Sequence, residues 1–285
     1  MKKSLLTLGL AVGLAALTAA CGDPAIAPST PPPEETHTAA PEQTATLTCR
    51  IVDGAEEGSL LLADLENAGG VYRLGVGEGV SVTVDGEEAS AADLTDGMEV
   101  TVVFDGMVQY SYPMGFYEVY ALEAVTPPGG SYTDLCGFYL QVLDDLWQAD
   151  DGLNGDTVGI DLSQAPGGLT EAEQAAVAWR FGELHGVSAR AAAFDQLVEE
   201  GYITAGPLDE GDPDGPAFYQ WKEGCLLTVT PHEGEETEAY SLPVLRFDAE
   251  KWASSLGAYC FYDCTAVWPE FGSWSDYTVR NEMIA

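Results

Sequence analysis

Basic side chains are scarce in this 285-residue chain: 10 Lys+Arg stand against 47 Asp+Glu, a formal net charge of −37. A field of that sign repels polyphosphate and anionic lipid headgroups, so nucleic acid is excluded as a partner, and neutral or cationic partners remain. Histidine is scarcer still, with His37, His185 and His232 making up the whole set. His232-Glu233 opens like a zinc-protease helix, but Glu236 stands where the second histidine is needed and Gly234 lies between, so this stretch reads as a polar loop. Neither G-x-S-x-G nor S-x-x-K occurs, and no catalytic residue, metal ligand or cofactor motif is assigned. Cysteine is sparse and odd in number beyond Cys21: Cys49, Cys136, Cys225, Cys260 and Cys264 lack the spacing of a disulfide framework. Four residues of strand span ~13 Å, which puts Cys260 and Cys264 beyond each other's reach, so buried free thiols are expected.

What is present begins with an export signal. Lys2 and Lys3 precede an uncharged run from Ser4 to Ala20, 17 residues long, at the lower limit for a membrane-spanning helix. Thr18-Ala19-Ala20-Cys21 resembles the bacterial lipobox, in which cysteine directly follows small residues and its thiol receives a diacylglycerol; Thr18 departs from the usual Leu. That resemblance implies lipid attachment at Cys21 after removal of residues 1–20. Simple secretion with an unmodified Cys21 is the competing reading. Residues 21–44 hold Pro24, Pro28, Pro31, Pro32, Pro33 and Pro41 among small polar residues, the composition of a semi-extended tether. The mature chain then carries 8 Lys+Arg against 47 Asp+Glu, a formal charge of 8 − 47, or −39.

Over residues 45–127 period two dominates. Leu47, Cys49 and Ile51 alternate with Thr48 and Arg50, and Val80, Val82 and Val84 with Ser81 and Thr83. Met98, Val100, Val102 and Phe104 repeat the pattern against Glu99 and Thr101. Asp53-Gly54, Asp85-Gly86, Asp96-Gly97 and Asp105-Gly106 supply turns, and Phe116 to Val125 reads as a closing strand. Five or six short strands without a helix close on themselves, which predicts a small all-β, OB-like barrel. "DLTDGMEVTVVFDG" and "VQYSYPMGFYEVYALEAV" resemble the bacterial lipoprotein domain of unknown function 3221, through the Gly97-Met98-Glu99-Val100 strand start and the Ser111-Tyr112-Pro113 turn. The resemblance implies the barrel and assigns no activity. "GVGEG" (75–79) is not a nucleotide loop, since Val80 and a strand follow it.

Residues 131–285 read as an α+β domain with a largely antiparallel sheet. Leu135, Phe138, Tyr139, Val142, Leu146 and Trp147 form one helical stripe. Thr157 to Leu162 reads as a short strand, and Thr170 with Glu173 as a capping box for a helix ending at His185-Gly186. Strands are expected at 187–194, 219–221, 225–230, 240–247, 256–266 and 274–283, with a helical turn at 195–200. "FDAEKWASSLGAYCFYDCTA" and "WSDYTV" resemble uncharacterised lipoprotein domains of clostridia-like bacteria, which brings no function. "EGDPDG" (210–215) imitates the start of a calcium loop, yet position 12 is Trp221, so it reads as an acidic turn. "WPEFGSWSDY" gathers Trp268, Phe271, Trp274 and Tyr277, an aromatic set beside carboxylates that makes a candidate ligand surface.

These readings converge on a lipid-anchored extracytoplasmic binding or accessory protein of a bacterial cell envelope, whose partners are the membrane through its anchor and an unknown ligand or envelope protein. The competing class is an extracellular hydrolase of carbohydrate or peptide with a carboxylate pair that no local motif reveals.

Overall fold

The computed structural model describes residues 44–126, 134–207, 217–232, 244–267 and 277–284. Strands predominate, in two large sheets. The first segment folds as β1 (Ala45–Asp53), β2 (Ser59–Asp64), β3 (Val71–Gly75), β4 (Ser81–Val84), β5 (Glu87–Ala89), β6 (Glu99–Phe104), β7 (Val108–Gln109), β8 (Met114–Phe116) and β9 (Val119–Val125). Their order is β5-β4-β9-β6-β1-β2-β3-β8-β7. β1 pairs antiparallel with β2 and β6, whereas β3 runs parallel to β8 and β4 parallel to β9. Only two residues separate β8 from β9, so these parallel pairs curl the sheet around a core. Cys49, Ile51, Leu60, Leu62, Val100 and Leu122 fill that core and are fully buried. Asp85-Gly86 turns β4 into β5 with φ of 54° and 81°, the left-handed pair that a two-residue hairpin needs.

β2 shows why "LLLA" is continuously apolar. Leu60 and Leu62 point into this core, while Leu61 and Ala63 point outward with Val52 and Val71 into a second cluster. A strand buried on both faces loses the alternation that marks a half-buried one.

That second cluster is completed by the rest of the chain. Here α1 (Leu135–Ala149), β10 (Thr157–Asp161), α2 (Glu171–His185), β11 (Ser188–Ala191) and α3 (Phe194–Glu199) are followed by strands β12 to β18. Those strands are β12 (Thr204–Pro207), β13 (Ala217–Gln220), β14 (Gly224–Pro231), β15 (Val244–Ser254), β16 (Gly257–Val267), β17 (Tyr277–Thr278) and β18 (Asn281–Ile284). The order is β11-β10-β14-β15-β13-β12, with β16 on β15 and with β17 and β18 on β16. The sheet is largely antiparallel; β10 is the exception, parallel to both neighbours. α1 and α2 bury Phe138, Tyr139, Val142, Leu146, Val177 and Phe181 in one cluster with Val158, Ile160 and Phe247 of this sheet and with the outward residues of β1 to β3. On the sheet's other face, Leu197 of α3 packs with Ile203, Trp221 and Leu226.

Both long helices start as their sequences direct. Thr170 Oγ1 accepts from the Glu173 N–H at 3.2 Å, and the Glu173 carboxylate accepts from the Thr170 N–H at 2.8 Å; Gly186 (φ 66°) ends α2. Asp134 caps α1, accepting from the Gly137 N–H at 2.8 Å. Cys49, Cys136, Cys225, Cys260 and Cys264 are free thiols, and burial raises Cys225 to about 11. Among the described residues no helix is long and apolar enough to cross a membrane.

Three readings from the pattern are corrected. The closing strand expected at 116–125 is two strands, because residues 117 and 118 break the ladder between β8 and β9. The last strand likewise splits into β17 and β18 at residues 279–280. The strand expected to stop at Phe247 continues to Ser254, through "DAEKWAS". Its inward residue there is Lys251, which is fully buried. The ammonium donates to the carbonyls of Trp147 (3.1 Å) and Asp150 and to Asn154 Oδ1 (2.8 Å), so a side chain from the sheet satisfies the carboxyl end of α1.

Candidate ligand-binding site

Of the aromatic set singled out in the sequence, Trp268, Phe271 and Trp274 lie outside the described residues, as does Cys21. Tyr277 is described, and it is a core contact. Its ring lies 5.9 Å from Phe138 and 5.8 Å from Phe247, and its hydroxyl donates to Asp145 Oδ2 at 2.9 Å. Burial and the Asp145 carboxylate push that phenol well above its ordinary range. The acidic turn at 210–215 also lies outside the described residues, while Trp221 is buried under α3.

His232 is held in a charged knot rather than left in a free loop. Its Nδ1 lies 2.9 Å from Asp248 Oδ1, and its Nε2 lies 3.7 Å from Asp263 Oδ1. Asp263 sits where the β15–β16 register slips, at φ 54°, and such a bulge re-aims its side chain. The carboxylate receives Arg246 Nη2 at 2.5 Å and Arg280 Nη1 at 2.7 Å. With both imidazole nitrogens facing carboxylates, the ring is positioned to brace strands rather than to activate a nucleophile. The two guanidinium groups hold Asp263 at about 2, against an ordinary 3.8. A folded-state value below the unfolded one means that this carboxylate stabilises the fold above pH 4 and that the contribution is lost as pH falls from about 4 to about 2. Asp263→Asn is therefore expected to flatten the acid limb of a melting-temperature profile in that window. An unchanged acid limb would show that the knot contributes no linkage.

His185 Nε2 lies 3.1 Å from Asp144 Oδ1, and its ring packs on Phe181 (4.3 Å) and Trp147 (5.3 Å), so it braces α1 against α2. Among the described residues, no group of three or more His, Cys, Asp or Glu is placed to hold a metal ion.

Among the described residues, one depression of 350 Å³ lies between Thr157, Tyr202, Trp221 and Glu223. Three others lie elsewhere. The first, of 280 Å³, lies where α1 and α2 begin and is lined by Arg50, Gly97, Asp134, Gly167, Thr170 and Glu173. Its charges are paired internally: Arg50 Nε lies 3.3 Å from Glu173 Oε1, and Arg50 Nη1 donates to the Gly97 carbonyl at 3.1 Å. A Cβ at Gly97 (φ 87°) would stand 3.0 Å from the Asp134 backbone, which makes this a joint between segments. A second, of 660 Å³, lies beyond the carboxyl ends of β10 and β11. There the side-chain amides of Gln174 and Gln196 are turned to the Leu169 carbonyl and to Glu200, and the walls combine Ala175, Ala191, Ala192 and Ala193 with Ser163 and the carboxylates of Asp161 and Glu171.

The third is on the first sheet. It measures 480 Å³ and is lined by Arg73, Gly75, Gly77, Gln109, Ser111 and Tyr117, from the end of β3, the β3–β4 link and the β7–β8 hairpin. The hairpin is fixed at its base, where Phe116 stacks on Tyr72 (5.1 Å) and meets the edge of Phe104 (5.1 Å). Gln109 Nε2 donates to the Phe116 carbonyl at 3.2 Å, and the Ser111 hydroxyl to the Pro113 carbonyl at 2.8 Å. Tyr110 is 102% exposed, Tyr112 61%, Tyr117 64% and Met107 56%. Burying an aromatic side chain stabilises a fold by roughly 1.5–3 kcal/mol, a gain these rings forgo although the hairpin is anchored. Exposed aromatic side chains on an anchored hairpin make this groove the candidate contact site.

Reading the sequence as strands and turns missed this site. Its signal is the run of Tyr110, Tyr112 and Tyr117 within eight residues of a turn-rich stretch that buries only Pro113 and Phe116. No protein-family model matches the chain, and neither a curated protein nor a solved structure matches it.

Proposed function

We propose that this chain is a lipid-anchored extracytoplasmic binding or accessory protein of a bacterial cell envelope, with its ligand taken in the barrel groove. The observation that carries the binding role is the groove itself, with Tyr117 in its wall and exposed Tyr110 and Tyr112 on the same hairpin. Anchoring is supported by Lys2-Lys3, the uncharged run that follows and Thr18-Ala19-Ala20-Cys21. Two acyl chains on Cys21 give stable attachment where one does not. Residues 21–44 have the Pro-rich composition of a semi-extended tether, which an anchored domain needs to stand clear of lipid.

The same reading takes the barrel as OB-like. β1, β2 and β3 serve as its first three strands, β6 as the fourth, and β8 with β9 as the fifth. In that class the loop between the fourth and fifth strands is one of the ligand-holding elements. Here that loop contains β7, Tyr110 and Tyr112, and Tyr117 follows β8.

Cys21→Ser is expected to move the protein from the membrane pellet to the soluble or secreted fraction, and mass spectrometry of the wild-type pellet to find an acylated Cys21 peptide. An unmodified Cys21 in the wild type would reject the anchor.

A further inference from the structure

We infer that the barrel groove binds a neutral oligosaccharide, with the Tyr117 ring as its stacking face and Tyr110 and Tyr112 extending the contact along the hairpin. This rests on the binding role proposed above and adds the chemical class of the ligand.

Charge decides most of it. With 47 acidic side chains in the chain, an anionic ligand, oligonucleotide included, is repelled at long range. A cationic ligand meets the opposite problem inside the groove, because Arg73, one of 10 basic residues, stands in its wall. The Arg73 guanidinium is held in place 5.3 Å from the centre of the Trp179 ring. A neutral ligand suffers neither cost. The lining then selects among neutral ligands. With the Gln109 amide and the Ser111 hydroxyl donating to the Phe116 and Pro113 carbonyls, Gln109 Oε1 and Ser111 Oγ can accept from a ligand rich in hydroxyl groups beside Gly75 and Gly77. Tyrosine presents a flat apolar face with a polar tip, suited to the C–H face of a pyranose ring and its rim of hydroxyls. A bilayer fits less well: it requires a convex apolar tip, and this surface is a concavity.

The test uses the full-length protein in detergent micelles, titrated calorimetrically with pentasaccharides of neutral N-acetylglucosamine, glucose in β- and α-linkage, an anionic uronate and a cationic glucosamine. Random tripeptides and zwitterionic vesicles complete the set. At least one neutral oligosaccharide is expected to bind. Tyr117→Ala should weaken it about tenfold or more, the loss of one hot-spot ring, and Tyr117→Phe less than threefold. An unchanged melting temperature in both variants keeps folding out of the comparison. Sugar binding indifferent to Tyr117, Tyr110 and Tyr112 would overturn the site, and preference for a charged sugar would overturn the ligand class. Tyr117-dependent binding of peptides alone, or Tyr110- and Tyr112-dependent binding of vesicles alone, would also overturn the oligosaccharide while leaving a contact surface. Silence from every probe would overturn both the oligosaccharide and the binding role of the groove.

Discussion

Lys251→Met is expected to destabilise the protein by about 3–5 kcal/mol, the cost of leaving three buried acceptors without their donor. The side chain is fully buried, and its ammonium serves the Trp147 carbonyl, the Asp150 carbonyl and Asn154 Oδ1 together. Methionine keeps most of the stem's volume, so the cavity contribution is small. What remains is three acceptors at the end of α1 without a donor, each costing roughly 1–3 kcal/mol when buried. The charge also balances the negative end of the helix dipole and lies 5.7 Å from the Trp147 ring centre. Urea unfolding gives the magnitude, and pH gives an independent readout. Burial lowers the Lys251 pKa from 10.5, so between the folded and unfolded values the unfolded chain binds the proton more firmly and wild-type stability rises with pH. The variant lacks that rise. A loss below about 1 kcal/mol would mean that the carbonyls find other donors and that the lysine is dispensable to the helix end.

Lys251 also marks where the sequence stopped being legible. "DAEKWAS" has three charged residues in its first four, and a local pattern reads that as solvated loop. The partners that make burial tolerable sit about a hundred residues upstream, at the end of α1. Elements whose cause is local were readable. The capping box at Thr170 and Glu173, the glycine at 186, the Asp85-Gly86 turn and the alternation in β1 and β6 all appear where their residues placed them. Pairings that join distant strands were not readable: nothing in β3 or β8 announces that they run parallel, and the outward face of β2 has meaning only once α2 covers it. The candidate site divides in the same way. Aromatic residues near carboxylates single out 268–277 in the sequence, but Tyr277 is turned inward, because Phe138, Phe247 and Asp145 are brought beneath it. The tyrosines of the β7–β8 hairpin stayed outward, since Phe116 alone fills the anchoring position.

Asp134→Asn is expected to do the reverse of Lys251→Met and stabilise the protein at neutral pH. Asp134 caps α1 inside the joint between segments, where burial first, and then the nearby Asp96 and Asp53 charges, raise its carboxyl to about 6 from an ordinary 3.8. Because the folded value is the higher one, the folded state holds the proton more firmly, and stability falls as pH rises from about 4 to about 6. At 1.36 kcal/mol per pH unit the full loss is on the order of 3 kcal/mol, and relaxation of the site leaves roughly 1–3 kcal/mol to be seen. Asparagine removes the charge but retains the oxygen that accepts from Gly137, and it caps a helix about as well as aspartate. Melting curves from pH 4 to pH 8 should thus coincide at the acid end and separate by pH 7, with the variant higher and its profile flat. A variant that melts lower at pH 7 would mean that the helix dipole and the Arg50 charge outweigh burial, and that this buried acid is a stabilising cap rather than the strained element of the joint.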